Sequence, residues 1–386
     1  MPYLAKKELC TGCTACANAC PVNCIEMKRD EYGFAYPAVA DPAACTDCRA
    51  CEAVCPVQTD VGKNSGEPMA FAAYSKNHDL RMASSSGGVF SEIAETVIQK
   101  GGIVFGAAYD DCFNVYHTGA CKPEELAALR GAKYAESWLG TVFGDIRKEL
   151  DSGRLVLFSG TPCQAAGLKA FLEKDYDNLL VIDFVCHGIP SPMAWKKYVD
   201  YRAKLDNKGR LPTDINLRDN STGWSRYRYS NRFEYDNGTE HKDLSSQSDF
   251  MRLFTQDYIL RASCGNCRFK GYSRASDITL GDFWGVWDIA PEMDDDRGTS
   301  VILIQSEKGR ACWERIAHRV RAAAVELEQA SRQNPSMISS SKAKEERAAV
   351  LEKIRTEGFG AALLFVNKPV PLWKKARHKL KSFLRR

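Results

Sequence analysis

Nine of the sixteen cysteines in this 386-residue chain fall within its first 55 positions, and eight of them form two copies of one pattern. Cys10, Cys13 and Cys16 are separated by two residues each, and Cys20-Pro21 follows after three more; Cys45, Cys48, Cys51 and Cys55-Pro56 repeat the arrangement. Two-residue gaps let three thiolates of one tight loop wrap three irons of a cubane. The fourth cysteine, leaving its loop before a proline, ligates the other cluster. The spacing therefore assigns Cys10, Cys13, Cys16 and Cys55 to one [4Fe-4S] cluster, and Cys45, Cys48, Cys51 and Cys20 to a second. Disulfides would need an oxidising compartment, and a zinc site requires neither a tandem third CxxC step nor the terminal Cys-Pro. Cys24 stands outside the repeat as a spare thiol.

Three further constellations lie beyond residue 60. Ser84-Ser85-Ser86-Gly87-Gly88 stands directly ahead of a helical pattern. Serines cap helix N-termini and paired glycines let backbone N–H groups approach an anion, so this turn is a simple cap or the seat of a phosphate. Cys163 follows a strand-like run at 155–158, and Cys186-His187-Gly188 follows the apolar run 179–185. Both cysteines thus sit at the C-terminal ends of expected strands, where open α/β sheets build their sites. With Cys264 and Cys267, a further CxxC, they make a quartet open to three readings: a third [4Fe-4S] cluster, a structural zinc, or unconnected thiols. His187 beside this quartet either relays protons or orients its loop. The third constellation, 276–285, runs into Gly281-Asp282-Phe283-Trp284-Gly285, whose aromatics either face a cofactor ring or plug the core. Cys112, Cys121 and Cys312 have no partner pattern and are expected to be small buried hydrophobes.

The elements that must hold these residues follow from periodicity. An α+β ferredoxin-like unit is expected over 1–60, then a polar linker at 61–68. Uninterrupted apolar runs at 69–75, 103–108, 155–158, 179–185, 278–280 and 301–305 alternate with helical patterns at 88–99, 139–150, 164–172, 192–205 and 310–319. That alternation predicts an α/β body whose mixed sheet is covered by helices on both faces. Its first part spans 69–150 and its second 151–330. The polar stretch 206–247 reads as an irregular or hairpin insertion, 331–341 as a loop, and 331–386 as a helical region with a basic tail. A 44% hydrophobic content supplies a substantial core, and a net charge of +4 carries no nucleic-acid signature. The N-terminus lacks a signal-peptide stretch and no apolar run approaches a membrane span, so the thiols are expected in a reducing cytoplasm. Residues 368–386 hold eight Lys or Arg and no acid, with Trp373, Ala376, Leu380, Phe383 and Leu384 at helical spacing. Such a tail lies on an anionic membrane surface, packs on its own domain, or frays.

Six motifs stand in one order over about residues 68–290. They are the Ser-Ser-Gly-Gly turn at 85–88, Arg130-Gly131-Ala132-Lys133-Tyr134, Gly160-Thr161-Pro162-Cys163-Gln164, Phe184-Val185-Cys186-His187-Gly188, the CxxC at 264–267, and 277–285. Together they resemble the coenzyme F420 hydrogenase/dehydrogenase beta-subunit family, with a two-cluster bacterial ferredoxin fused ahead of it. Ala132 departs from the family pattern, which has serine there. The resemblance implies FAD, with Ser85, Ser86, Gly87, Gly88, Lys133, Tyr134 and Thr161 in its site, and a third [4Fe-4S] cluster on Cys163, Cys186, Cys264 and Cys267. It implies an oxidoreductase relaying electrons between a redox partner, such as a ferredoxin or a hydrogenase or dehydrogenase subunit, and an organic acceptor. An electron-transfer subunit without its own substrate, and an accessory protein of polysaccharide assembly, are the competing expectations.

Overall fold

Alternating residues at 25–29 and 35–39 close an antiparallel ribbon, β1 (Ile25–Arg29) on β2 (Ala35–Val39), in a computed structural model that describes residues 2–62, 64–225 and 228–367. The turn between them is built by Asp30, whose carboxylate accepts the N–H groups of Tyr32 and Phe34 at 3.0 and 2.9 Å. On either side, each cysteine loop runs into a one-turn helix, Ala15–Asn18 and Ala50–Ala53. Thr14 and Arg49, the residues preceding those helices, share a left-handed backbone at φ 65 and 58. The duplication in the sequence is therefore a duplication of conformation.

The body adds β3 (Met69–Ser75), β4 (Ile103–Tyr109), β5 (Val115–Ala120), β6 (Val156–Ser159), β7 (Leu179–Phe184), β8 (Asp214–Asp219), β9 (Ser230–Glu234), β10 (Glu240–Leu244), β11 (Ile278–Asp282), β12 (Ser300–Ile304) and β13 (Val320–Val325). Eight of them form one mixed sheet in the order β13-β3-β12-β11-β7-β6-β4-β5. Its centre, β4, β6, β7 and β11, is parallel. These strands are mostly apolar because both faces are covered: Val104, Leu157, Phe158 and Val181 are fully buried. Parallel strands direct their C-terminal ends to one edge, which brings the segments after Ser159, Phe184 and Asp282 together. Helices Val89–Gln99, Val142–Asp151 and Pro162–Leu172 pack on the sheet.

The stretch 206–247 is more ordered than its polarity implies, since β8, β9 and β10 make a separate antiparallel sheet. Cys312 is buried as expected, but Cys112 and Cys121 are exposed, so the expectation of small buried hydrophobes fails for both. Each follows a strand end in a polar turn, where no core is within reach. Helices Arg347–Glu357 and Phe359–Val366 close the C-terminal region and pack on Pro192–Asn207. No helix among the described residues is long and apolar enough to cross a membrane. The basic stretch 368–386 lies outside the described residues.

The N-terminal unit is docked on the body by close packing. Gly167 of helix Pro162–Leu172 permits it, because a Cβ there would come 2.9 Å from the Cys13 sulfur. Asn18 donates to the Gly140 carbonyl at 2.9 Å and accepts the N–H of Gly144 at 3.2 Å.

Candidate redox site

The cysteines of the N-terminal unit gather around two small cavities. Burial pushes the Cys13 thiol up to about 12, with the neighbouring Cys10 and Cys55 thiols adding to the shift. Burial likewise raises Cys16, which faces Cys13, Cys10 and Cys55. Cys51 is raised by burial and has Cys20 beside it. Cys20, Cys45, Cys48 and Cys51 line one small cavity, and Cys10, Cys13, Cys16 and Cys55 line another that Cys51 also borders. Binding a metal to the deprotonated thiol is one way to offset such desolvation. Cys24, the spare thiol, is buried with its sulfur 3.5 Å from that of Cys20.

The body quartet is brought together from three distant segments. Cys163 occupies the first turn of helix Pro162–Leu172, whose N-terminus is set by Thr161 and Gln164 capping each other. Cys186 lies just past β7, and Cys264 and Cys267 in and after the short helix Ala262–Asn266. Burial raises Cys163, and the thiols around it are Cys267, Cys186 and, from the N-terminal unit, Cys13. Cys186 is pushed up to about 12 by burial, with Cys264 and Cys267 nearby and Lys270 opposing the shift. Cys264 is raised to about 12 for the same first reason. Among the described residues no three His, Cys, Asp or Glu side chains converge closely enough for a single metal ion, the N-terminal cysteines included. A cubane distributes its four thiolates over four irons, whereas tetrahedral zinc gathers them on one ion at about 2.3 Å.

Beyond Cys163 and Cys186 opens a cavity of about 620 Å³, a volume that suits a cofactor. Thr11 and Gly12 reach it from the N-terminal unit; Ser85, Ser86, Gly88, Lys133, Tyr134 and Thr161 line it from the body. The serine-glycine turn ends in Gly88 at φ 79, the N-cap of the 11-residue helix Val89–Gln99. Val89 and Phe90 also line the cavity, so it meets the positive end of that helix dipole. Two buried side chains tie the turn's carbonyls back: Arg218 donates to Ser85 O at 3.1 Å and Asn220 to Ser84 O at 3.1 Å. Arg218 is held by Asp282 at 2.9 Å and lies 3.9 Å over the Tyr229 ring. Lys133 reaches the carbonyls of Arg130 and Gly131, and among the described residues no carboxylate pairs with it. Burial alone lowers its ammonium to about 7. Lys133 thus brings a cation without a carboxylate partner among the described residues to the same cavity that the N-terminus of Val89–Gln99 meets.

Gly87 does not line the cavity. Its N–H is donated to Ser300 Oγ at 2.9 Å, and Ser300 in turn donates to Ser86 Oγ at 3.1 Å. A Cβ at Gly87 would sit 2.4 Å from Ala73 O and 3.0 Å from Ser300 N, both backbone atoms that cannot step aside. Gly87→Ala is therefore expected to lower stability by about 1–3 kcal/mol, the usual cost of overpacking. Flavin loss should then accompany unfolding in a thermal melt. An unchanged melting midpoint would remove this packing account.

Three features escaped the sequence. His117 on β5 lines the cavity with both ring nitrogens engaged, Nδ1 with Ser137 Oγ at 2.6 Å and Nε2 with Ser159 O at 3.0 Å. Because a carbonyl only accepts, Nε2 carries the proton and Nδ1 accepts from Ser137. Burial lowers His117 to about 4, which keeps the ring neutral. Arg218 and Asp282 form the second feature, and the buried Arg261–Glu136 pair the third. His187 pairs with Asp257 at 2.7 Å and approaches Ser336 at 3.3 Å, so its loop is anchored at both nitrogens. The aromatic turn divides its labour: Phe283 is fully buried in the core, while Trp284 lines the cavity and stacks on Trp224 at 4.9 Å.

Residues 153–330 match the family model that describes the C terminus of the coenzyme F420 hydrogenase/dehydrogenase beta subunit, and residues 9–59 match the 4Fe-4S dicluster domain. No curated protein matches the chain. Among solved structures, a chain from the F420-reducing [NiFe] hydrogenase complex of Methanosarcina barkeri, studied by xenon derivatisation, is 14% identical. Its TM-score is 0.49, over 76% of this chain and 93% of that chain.

Proposed function

We propose that the protein is an iron–sulfur flavoprotein oxidoreductase, because residues 153–330 match the coenzyme F420 hydrogenase/dehydrogenase beta-subunit family model and residues 9–59 match a dicluster domain for two [4Fe-4S] clusters. It exchanges electrons with a redox partner protein, a ferredoxin or a hydrogenase or dehydrogenase subunit, and with an organic acceptor. A third [4Fe-4S] cluster is assigned to Cys163, Cys186, Cys264 and Cys267, and FAD to the cavity beside them. FAD, when bound, joins one-electron traffic to two-electron chemistry. The protein's own contribution is positional. Ser85, Ser86 and Gly88 of the turn, with Val89 and Phe90 of the helix, line the cavity and would offer N–H groups to a diphosphate, Lys133 would supply its countercharge, and Arg218 with Asn220 holds the turn in place. Neutral His117 fixes the Ser137 hydroxyl at the cavity wall without adding charge.

The observation that carries the reading is continuity. Cys13 of the dicluster domain lies against Gly167 of the helix that carries Cys163 in its first turn, and the cavity opens at Cys163 and Cys186. The test is anaerobic purification with iron, sulfide and flavin quantified together. About twelve irons and twelve sulfides per chain are expected with stoichiometric flavin, falling to about eight of each in Cys264→Ser/Cys267→Ser. About eight irons with one zinc in the unaltered protein would overturn the third cluster. Flavin reduced through the clusters, followed by turnover of a small acceptor, separates this function from that of an electron-transfer subunit with no substrate.

A further inference from the structure

Arg261 is a ligand of neither quartet, yet it touches both. Its N–H is donated to Ile189 O at 2.8 Å, and its carbonyl accepts the N–H of Cys264 at 3.1 Å. Ile189 in turn donates its N–H to the Cys264 sulfur at 3.3 Å. The backbone of Arg261 is thereby built into the body quartet. Its side chain runs the other way, into the dicluster domain: Nε donates to Cys10 O at 2.8 Å, and Nη2 to Ala35 O at 2.8 Å and to Cys10 Sγ at 3.7 Å. Nη1 donates to Glu136, whose other oxygen accepts the Ala35 N–H at 2.8 Å. The guanidinium lies 4.2 Å over the Tyr36 ring and is 2% exposed. Gly12 makes room for it, since a Cβ there would stand 2.9 Å from Nη1.

Cluster potentials are set by local charge, by hydrogen bonds to the sulfurs and by solvent exposure. All three differ between the two clusters of the dicluster domain. Cys10 receives a buried cationic donor; Cys48 of the other set is exposed, and among the described residues no Arg or Lys side chain donates to that set's thiols. Adding an electron makes a cluster more negative, and a buried positive charge stabilises that state with little screening.

We infer that Arg261 is a positioning residue that raises the reduction potential of the Cys10/Cys13/Cys16/Cys55 cluster above that of the Cys20/Cys45/Cys48/Cys51 cluster, through its charge and its hydrogen bond to Cys10. Electrons arriving at the exposed cluster are thereby drawn inward, to the side facing Cys163. The potential difference stands on the dicluster domain alone; only its use for inward transfer rests on the proposed function.

The experiment is an EPR-monitored redox titration of the full, iron-replete chain. Glu136→Gln keeps Arg261 in place and removes its opposing charge, so one cluster should shift to higher potential. Arg261→Met/Glu136→Gln removes the donor and should shift the same cluster below its value in the unaltered protein. Arg261→Lys, which keeps the charge and forfeits the fork, should fall below the unaltered protein but by less than the double variant. The other clusters should hold their potentials. A purely structural role would leave all potentials in place in variants with full iron content, and that result overturns the inference. So does a fall in Glu136→Gln. If the double variant does not load iron, Arg261→Lys decides: a lowered potential supports the inference and an unchanged one overturns it.

Discussion

Arg261→Met alone is expected to cost about 3–5 kcal/mol of stability, because it strands the Glu136 carboxylate in the interior without its cation. Glu136 is 7% exposed, and burial already pushes its carboxyl up against the opposing pull of Arg261. The same change removes the donors to Cys10 O and Ala35 O. A buried acceptor left unpaired costs about 1–3 kcal/mol. All of these groups lie where the dicluster domain meets the body, so the loss should loosen the docking before either core melts. Pairing the change with Glu136→Gln should restore part of the stability, since a neutral amide can remain buried while its oxygen keeps the Ala35 N–H. The measurement is the unfolding midpoint of anaerobically handled holoprotein for both variants. If the single variant is as stable as the double, the pair is not what joins the two parts.

Local patterns made much of the architecture legible. The cysteine repeat fixes its own conformation within a few residues, as the matched left-handed Thr14 and Arg49 show. Continuous apolar runs such as Leu179 to Ile182 became the parallel centre of the sheet, because burial on both faces leaves no alternation to confuse. Harder to read was β13, Val320–Val325, which is half alanine with exposed positions and owes its form to pairing with β3. Buried charges were not legible at all. Arg218 meets Asp282 across 64 residues and Arg261 meets Glu136 across 125. In the sequence each is one more charged residue, and only the fold supplies its partner. Gly87 is instructive in another way. A glycine beside an expected phosphate turn looks like a ligand contact, but close approach of β3 and β12 accounts for it instead.

Flavin affinity should fall as pH rises above about 7, and Lys133 is the reason. Burial lowers its ammonium from 10.5 to about 7 in the flavin-free fold, with no carboxylate beside it among the described residues. Below pH about 7 the side chain is protonated both folded and unfolded, so the whole cost of burying the charge is present. Between about 7 and 10.5 the unfolded chain holds the extra proton, so stability of the flavin-free protein rises with pH. A diphosphate near Nζ favours the protonated form and raises its pKa again. Binding therefore takes up a proton above pH 7, and affinity weakens by up to about tenfold per pH unit. Lys133→Met should bind FAD about 10- to 100-fold more weakly at neutral pH, the worth of a charge-assisted contact, and should lose the slope. The same variant should be more stable than the parent when flavin-free, since no charge is then buried. Titrating FAD and riboflavin onto deflavinated protein from about pH 6 to about pH 9 separates the causes. Riboflavin has no phosphate and should show no slope with either protein. A slope for FAD that survives Lys133→Met, or an equal slope for riboflavin, would assign the proton to another group and leave Lys133 without its anion.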